Sequence, residues 1–370
     1  MGFSRKSAMK KVSTILTLLL TNYLLWAVPG SEVAPLPDPV SNNAVAMLKV
    51  HGDLQIFSFM GIGAKKTWDA VTTEAYSLDA STGKAFTIHP VPGTAGRIGA
   101  MAIGAGDRVV LVGGYVLYQG GGMAVPDVNL YEPAHDRWER GPDMPTPVGD
   151  GVIGVYHERY VYVIGGRSNR GPVSTVQIFD LEKNRWSTGT PIPGDGIFGH
   201  AGAIVGESII LVDGARSNSS SASLKYLATE QCWEGKIDRH HPGTIAWTKL
   251  PAHPGAARFR IAAGGSEKDE KVYFVGGTDN PFDYHGVGYD GKPSEPSPVS
   301  FDFNLRTGKW ETINENLANP TMDHRGLLVT REGLVVIGGM GQGQEVTGRV
   351  VVLPKEPQAQ PAPPKENKPK

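Results

Sequence analysis

The stretch YVYVIGGRSNRGPVSTVQIFDLEKNRW, Tyr160 to Trp186, decides the fold of this 370-residue chain. It begins with a strand of β-branched and aromatic residues, stops at the pair Gly165-Gly166, and resumes as an apolar strand that ends at Phe179. Trp186 follows seven residues after Phe179. A sheet this small cannot bury its own apolar face, so we expect the unit to be repeated and the copies to pack on one another.

The same pattern recurs about every 50 residues along the chain. An apolar strand leads to a glycine pair, then to a Tyr or Phe, and then to a Trp seven residues later, as at Tyr131 and Trp138. Two copies are degenerate, because Met60-Gly61 and Asp213-Gly214 replace the glycine pair. A further short strand precedes each copy, so each period is predicted to hold four strands.

The copy that contains Asp213 carries an insertion. We assign its third strand to Tyr226 and its fourth to Trp247, which places the insertion Leu227 to Ala246 between those two strands. This assignment puts Cys232 on the face formed by the loops joining strands 1 to 2 and strands 3 to 4.

Four strands in a period of about 50 residues, with these spaced features, resemble Kelch repeats. Six copies cover the chain from Glu32 to Leu353. The resemblance implies an all-β fold, a six-bladed Kelch-type β-propeller. The last copy lacks a Trp strand, and the sequence near Val33 resembles the ends of other copies. We therefore predict that an N-terminal strand, Val33 to Leu36, completes the last blade and closes the ring.

The two ends of the chain differ from the rest in composition. Residues 1–30 combine basic residues with the apolar run Val12 to Val28, which predicts a signal peptide, with an uncleaved anchor as the alternative. The propeller is assigned to residues 31–354, and a disordered tail rich in Pro and Lys to residues 355–370. The expected location is secreted or periplasmic.

The amino-acid composition restricts the classes of partner that the protein is expected to bind. A formal net charge of −1 provides no basic field for nucleic acid, and we expect no membrane contact beyond a possible N-terminal anchor. Cys232 is the single cysteine, which excludes an intramolecular disulfide. His240 and His241 are adjacent and point apart on extended backbone, so no metal is predicted. No cofactor is expected, and the protein is predicted to be a monomer.

Binding residues are expected where loops join strands 2 to 3 and strands 4 to 1, which we call the loop face. The tripeptide Arg167-Ser168-Asn169 recurs as Arg216-Ser217-Asn218 in the next copy. Two guanidinium groups there would hold one carboxylate, although reuse of a turn sequence explains the repeat equally well. The predicted ligand-binding residues are Trp68, Arg97, Tyr118, Arg167, Asn169, Arg216, Arg260, Tyr284 and Arg325.

Weaker signals mark possible catalytic residues. The candidates are Asp150, Asp279, Asp283 and His285, each of a type that is also common in turns. The insertion Asn280 to Ser300 is the longest strand 2–3 loop and is expected to act in recognition. The resemblance to Kelch repeats implies that His200 and His324 hydrogen-bond within their blades.

Three functions remain open. The first is an exported module that binds a carbohydrate or protein on the loop face. The second follows from a resemblance to the bacterial N-acetylneuraminate epimerase family, which implies a mutarotase or epimerase acting on a carboxylated sugar such as sialic acid. The family's glutamate has no match here, because Asp213 lies at a different offset from the glycine. The third, a copper radical oxidase like galactose oxidase, is remote, because Cys232 is expected on the wrong face.

Overall fold

The structure, a computed structural model, describes residues 32–79, 85–93, 95–221 and 224–357. The predicted signal peptide and most of the predicted tail lie outside these residues. Within them, no helix is long and apolar enough to cross a membrane. The strands, in chain order, are β1 (Glu32–Val33), β2 (Ala44–Val50), β3 (Asp53–Ile62), β4 (Val71–Asp79), β5 (Ala85–Thr87), β6 (Met101–Ala105), β7 (Arg108–Val112), β8 (Tyr115–Tyr118), β9 (Gly121–Ala124), β10 (Val128–Glu132), β11 (Arg137–Arg140), β12 (Val152–Tyr156), β13 (Tyr160–Ile164), β14 (Arg167–Ser168), β15 (Gly171–Pro172), β16 (Val176–Asp180), β17 (Arg185–Gly189), β18 (Ala201–Val205), β19 (Ser208–Val212), β20 (Ala215–Ser217), β21 (Tyr226–Ala228), β22 (Cys232–Ile237), β23 (Ile245–Lys249), β24 (Ala262–Ser266), β25 (Lys271–Val275), β26 (Ser300–Asn304), β27 (Lys309–Asn314), β28 (Leu328–Val329), β29 (Leu334–Ile337) and β30 (Val350–Leu353).

Six four-stranded antiparallel sheets form the blades, which confirms the predicted six-bladed, all-β propeller. Blades 1 to 5 have the strand orders β2-β3-β4-β5, β6-β7-β10-β11, β12-β13-β16-β17, β18-β19-β22-β23 and β24-β25-β26-β27. Blade 6 has the order β28-β29-β30-β1. Short 3-10 turns at Trp68–Ala70, Pro133–His135 and Gln342–Gln344 lie between strands.

The ends of the propeller meet in blade 6. Glu32 and Val33 pair with Val351 and Val350 in antiparallel register. The strand is therefore Glu32–Val33, slightly before the segment expected from the sequence. Beyond it, the buried Leu36 continues the contact, since its backbone N–H donates to the Gly348 carbonyl at 2.8 Å.

The glycine pair ends the second strand of a blade because both positions need a left-handed backbone. The first position tolerates other residues, since Met60 and Asp213 occupy it with φ values of 53° and 57°. The second position does not, because a Cβ on Gly166 would lie 2.8 Å from the Gly149 carbonyl oxygen of the preceding loop. The second glycine thus lets strand 2 approach the segment that enters strand 1.

The seven-residue spacing of aromatic residues reflects the hairpin between strands 3 and 4. Phe179 and Trp186 are direct cross-strand partners, with ring centroids 5.2 Å apart. The Trp186 indole N–H then donates to the Pro142 carbonyl of the preceding blade at 2.9 Å. The repeated Trp therefore stabilises its own blade and ties it to the neighbour.

The strand assignment in blade 4 corrects the sequence prediction. The third strand is β22, in which Gly235 pairs with Trp247, so glycine stands where an aromatic residue was expected. Tyr226 instead lies in β21, which pairs with β20 in the loop between strands 2 and 3. Much of the insertion therefore belongs to the loop face, and Cys232 begins strand 3 at that face.

Removing residues 31–39 should lower the melting temperature by several degrees. The truncated chain loses the β1–β30 pairing, the buried Leu36 and the hydrogen bond from the Tyr76 hydroxyl to Asp38 at 2.9 Å, which leaves β30 as an open edge. Calorimetry against a chain that begins at Ser31 provides the comparison. An unchanged melting temperature would show that β1 does not contribute to closure.

Candidate functional site

One residue from each blade surrounds the propeller axis just before the first strand. All six have a left-handed backbone, with φ values between 52° and 71°. Most are Asn, Asp or Gly, the residue types that adopt this conformation most readily. The six residues, which we call the axial ring, are Asn42, Gly99, Asp150, Gly199, Arg260 and Asp323.

Hydrogen bonds join these segments into a closed circle. The backbone N–H of Gly199 donates to the Asp150 carbonyl at 2.7 Å, and that of Arg260 donates to Gly199 at 2.7 Å. Asp150 likewise donates to Gly99, Asn42 donates to Asp323, and His324 donates to Arg260. The remaining link runs from the Gly99 N–H to the Asn42 side-chain oxygen at 2.6 Å.

Four charged side chains cross the axis at this level. Arg260 binds Asp150 at 2.9 Å and Asp323 at 3.0 Å, and Arg325 lies 2.6 Å from Asp150 and 3.3 Å from Asp323. Their exposed fractions are 3% or less. We call these four residues the axial ion network. Because blades 3 and 6 are opposite in a ring of six, the Arg325–Asp150 pair spans the axis.

The network fixes the charge of Asp150. Burial alone would raise the pKa of this carboxyl, but Arg260 and Arg325 outweigh burial and lower the pKa to about 2. Asp150 therefore carries no proton to donate at neutral pH, and the catalytic role considered for it has no geometric support. Arg260 and Arg325, expected on the rim, are instead buried partners of carboxylates.

Arg97 is also a structural residue. Its guanidinium donates to the carbonyls of Gly113 and Asp127 and to Asn129 at 2.6 Å. Burial lowers its pKa to about 10. Arg97 thus braces blade 2 rather than facing a ligand.

The repeated Arg residues of blades 3 and 4 occupy different surroundings. The Arg167 guanidinium lies 4.8 Å from the Tyr115 ring and 5.6 Å from the Phe198 ring. Arg216 instead lines an open cleft of about 490 Å³ together with Thr229, Glu230 and Asp279. Among the residues that the structure describes, Arg167 is not part of the lining of this cleft.

The long insertion of blade 5 covers the axial ion network on the loop face. The Phe282 ring lies 4.9 Å from the Arg260 guanidinium, and Tyr289 contacts Tyr226 with ring centroids 4.8 Å apart. Tyr284, a predicted binding residue, is partly buried against the cluster that contains Tyr115. The loop therefore closes this end of the axis.

The other catalytic candidates on the insertion make local contacts. Asp283 accepts a hydrogen bond from the Tyr284 backbone at 2.8 Å. His285 is exposed, and its Nδ1 accepts from the Val287 N–H at 3.2 Å. Neither contact directs a reacting group into the Arg216 cleft.

Large apolar side chains stand exposed on the loop face of blades 1 and 2. Trp68 is 45% exposed and Tyr118 is 53% exposed. Met123, which lies near Tyr118 on the β8–β9 hairpin, is 52% exposed. Met123 was not predicted from the sequence, because a single Met among glycines resembles an ordinary loop residue.

A cavity of about 620 Å³ lies along the axis on the other side of the axial ion network. It extends from Arg260 and Arg325 to the strand 1–2 hairpins at Lys49, Gly106 and Glu158, on the opposite face, which we call the hairpin face. Sequence reasoning missed it, because most of its lining consists of small and aliphatic residues, which indicate only a core.

The two histidines predicted to hydrogen-bond within their blades differ. His324 Nε2 lies 2.9 Å from the Thr321 hydroxyl, as expected. Neither ring nitrogen of His200 has a well-oriented partner in the described part of the chain, and the ring packs on Gly165 near the Ile164 carbonyl of blade 3. Burial lowers the pKa of each histidine to about 4, so both are neutral at pH 7.

Cys232 is buried in an apolar cluster with Phe274 and Phe301. Burial raises its pKa to about 12, so it remains a thiol at neutral pH. Among the described residues, no group of three His, Cys, Asp or Glu side chains is placed to hold a metal ion.

Comparison with known proteins supports the class that the blades define. A model of the Kelch motif matches residues 154–193. The chain is 27% identical over 159 residues to Kelch-like protein 15 of Gallus gallus, covering 36% of this chain and 32% of that protein. It is 28% identical over 210 residues to Kelch-like protein terF of Aspergillus terreus, covering 54% and 43%. It thus spans less than half the length of either relative.

The chain is a Kelch-repeat β-propeller. In architecture it resembles the solved structure of YjhT, with a TM-score of 0.68 over 88% of this chain and 98% of that chain. The two share 18% sequence identity, so the likeness concerns the fold alone.

Replacing Asp150 by Asn should destabilise the protein by about 3–5 kcal/mol, because the substitution breaks a buried ion pair and leaves arginines without their carboxylate. The folded pKa of Asp150 is depressed, so its stabilisation is present above pH 4 and is lost as pH falls toward 2. Urea unfolding between pH 7 and pH 3 should therefore show a smaller acid-dependent loss in the variant.

Asp107→Asn is the matched control, because Asp107 pairs with Arg108 on the surface with 78% of its side chain exposed. The control should match the wild type within about 0.5 kcal/mol. Equal stability of the Asp150 variant and this control would contradict a structural role for the axial ion network.

Proposed function

We propose that this Kelch propeller captures a protein ligand on its loop face. The observation that carries the proposal is the exposure of Trp68, Tyr118 and Met123 on the strand 2–3 loops of adjacent blades. Trp, Tyr and Met are enriched in protein interfaces, where large rigid side chains supply most of the binding energy. Isolated exposed apolar residues need no explanation, but several on neighbouring loops favour a recognition surface.

The β8–β9 hairpin, which carries Tyr118 and Met123, is held in place by the neighbouring blade. The Asn169 side chain accepts from the Ala124 N–H at 2.8 Å and donates to its carbonyl at 3.0 Å. The Tyr115 hydroxyl donates to the Arg167 carbonyl at 3.0 Å. These contacts join the β8–β9 hairpin of blade 2 to blade 3. Because such loops lose little conformational freedom on association, they suit a binding role.

We also propose that the propeller acts outside the cytoplasm. The support is the N-terminal sequence, in which Arg5, Lys6, Lys10 and Lys11 precede an apolar run in the manner of an export signal. An extracytoplasmic partner or a secreted ligand would then be the occupant of the loop face.

A second candidate is a small polyhydroxylated ligand in the Arg216 cleft. The cleft combines the Arg216 guanidinium with the carboxylates of Glu230 and Asp279 and the hydroxyl of Thr229. Arg216 is suited to a ligand carboxylate, and Asp279 or Glu230 to hydroxyl groups or to proton transfer at an anomeric centre. This arrangement supports carbohydrate binding, and also the mutarotase alternative for a carboxylated sugar.

Trp68→Ala and Tyr118→Ala should each weaken capture of the protein ligand at least tenfold. The purified propeller is immobilised, exposed to the extracytoplasmic fraction of the source cells, and the retained protein is identified and then titrated against each variant. Phe86→Ala is the control, since Phe86 is also 45% exposed but lies on β5, the outer strand of blade 1. Retention that is unaffected by the two loop-face variants would place the binding surface elsewhere.

The Arg216 cleft is tested separately by exchange NMR of sialic acid and hexose anomers with the purified protein. If the cleft is a mutarotase site, anomer exchange should accelerate at least tenfold and return to the uncatalysed rate in Arg216→Ala. Arg170→Ala serves as control, because Arg170 is an exposed arginine of the neighbouring blade. Exchange at the uncatalysed rate across the panel would exclude the mutarotase and leave the protein-binding proposal intact.

A further inference from the structure

The axial cavity has the dimensions of a ligand site. Its volume of about 620 Å³ falls within the range typical of small-molecule pockets. The first strand of each blade runs along it, and five residues of strand span roughly 15 Å. Aliphatic side chains on these strands line the cavity: Val45, Met47, Ile103, Ile153, Ile204 and Leu328.

The wall of the cavity is tight because glycines let neighbouring inner strands approach at backbone distance. A Cβ on Gly104 would lie 2.2 Å from the Met47 carbonyl oxygen, and one on Gly264 would lie 2.1 Å from the Leu327 oxygen. The inner strands therefore pack directly on each other. Four of the lining residues are partly exposed, as expected for side chains that face an apolar cavity: Met47, Ile103, Ile153 and Ile204.

The closed end of the cavity is cationic and contains an unused donor. Arg325 lines this end with 2% of its side chain exposed. Its Nη atoms contact Asp150, Asn42 and the His324 carbonyl, but its Nε has no acceptor within the described residues. The Nε of Arg260, which lines the same end, also has no acceptor among the described residues, and an acceptor on a bound molecule would explain both donors.

The charges around Asp150 favour an anionic acceptor. Arg260, Arg325 and Arg167 all act on this carboxylate, and the axial ion network adds only one further carboxylate, Asp323. Around Asp150, within the described residues, three guanidinium groups therefore act on two carboxylates, and two of the three, those of Arg260 and Arg325, line the cavity. The open end lies at the hairpin face, while the blade 5 insertion covers the loop face.

We propose that the axial cavity binds an unbranched aliphatic monocarboxylate of medium chain length. Its carboxylate accepts a hydrogen bond from Arg325 Nε–H, and its chain lies along the inner strands toward the hairpin face. The charge-assisted bond supplies the acceptor that Arg325 lacks, and the chain removes the aliphatic lining from water. This site is separate from the loop face and does not depend on the protein-binding proposal.

Calorimetric titration with three probes tests the two parts of the proposal. Octanoate should bind with one molecule per chain. Octan-1-ol, which has the same chain without charge, should bind at least tenfold more weakly, and acetate, which has the charge without the chain, at least a hundredfold more weakly. Absence of saturable octanoate binding, or equal affinity for octanoate and octan-1-ol, would overturn the proposal.

A variant of the cavity lining tests whether octanoate binds in the axial cavity. Ile204→Phe narrows the cavity and should weaken octanoate binding at least tenfold, whereas Val116→Phe, on the β8–β9 hairpin of the loop face, should leave it unchanged. Melting curves of both variants establish that they are folded. Arg325→Met should remove the preference for octanoate over octan-1-ol if it folds, and the Ile204 comparison decides the question if it does not. Octanoate affinity unchanged by Ile204→Phe would exclude the axial cavity.

Discussion

The circle of hydrogen bonds at the axial ring is the constraint on which the propeller depends. It fixes where every first strand begins, because each ring residue turns the chain through a left-handed conformation at the same level. The axial ion network then joins blades 3, 5 and 6 across the axis. Buried charges stabilise little beyond the cost of removing them from water, but they penalise any arrangement that separates them. The six blades in their observed order bring all four charged side chains of the network together.

The sequence predicts the architecture well because the repeated features have local causes. The glycine pair, the aromatic residue and the Trp belong to one hairpin and one turn, so their spacing is retained wherever a blade forms. The strand assignment was wrong in blade 4 because the local pattern is altered there. Gly235 occupies the aromatic position there, and the nearest upstream Tyr or Phe, Tyr226, belongs to an inserted hairpin. A pattern that relies on one residue type cannot detect its replacement.

The candidate site was harder to predict, because loop position does not reveal burial. Arg97, Arg260 and Arg325 lie in loops predicted to form the same face as the loop of Arg216, yet only Arg216 among these four lines a cleft on the loop face. A signal for the axial ring was present in the sequence, since Asn42, Gly99, Asp150, Gly199 and Asp323 occupy equivalent positions and all favour a left-handed backbone. The partners of Asp150 come from distant blades, and no local pattern encodes those contacts.

The pairing of β1 with β30 has a kinetic consequence. Its two strands are separated by roughly 320 residues, so closure carries a large entropic cost and adds contacts of very high sequence separation. Until β30 exists, the first strand has no partner and the growing chain can form only an open arc of blades. Completion of the ring therefore follows synthesis of nearly the whole propeller, and this last step sets when the exposed edges of the arc disappear.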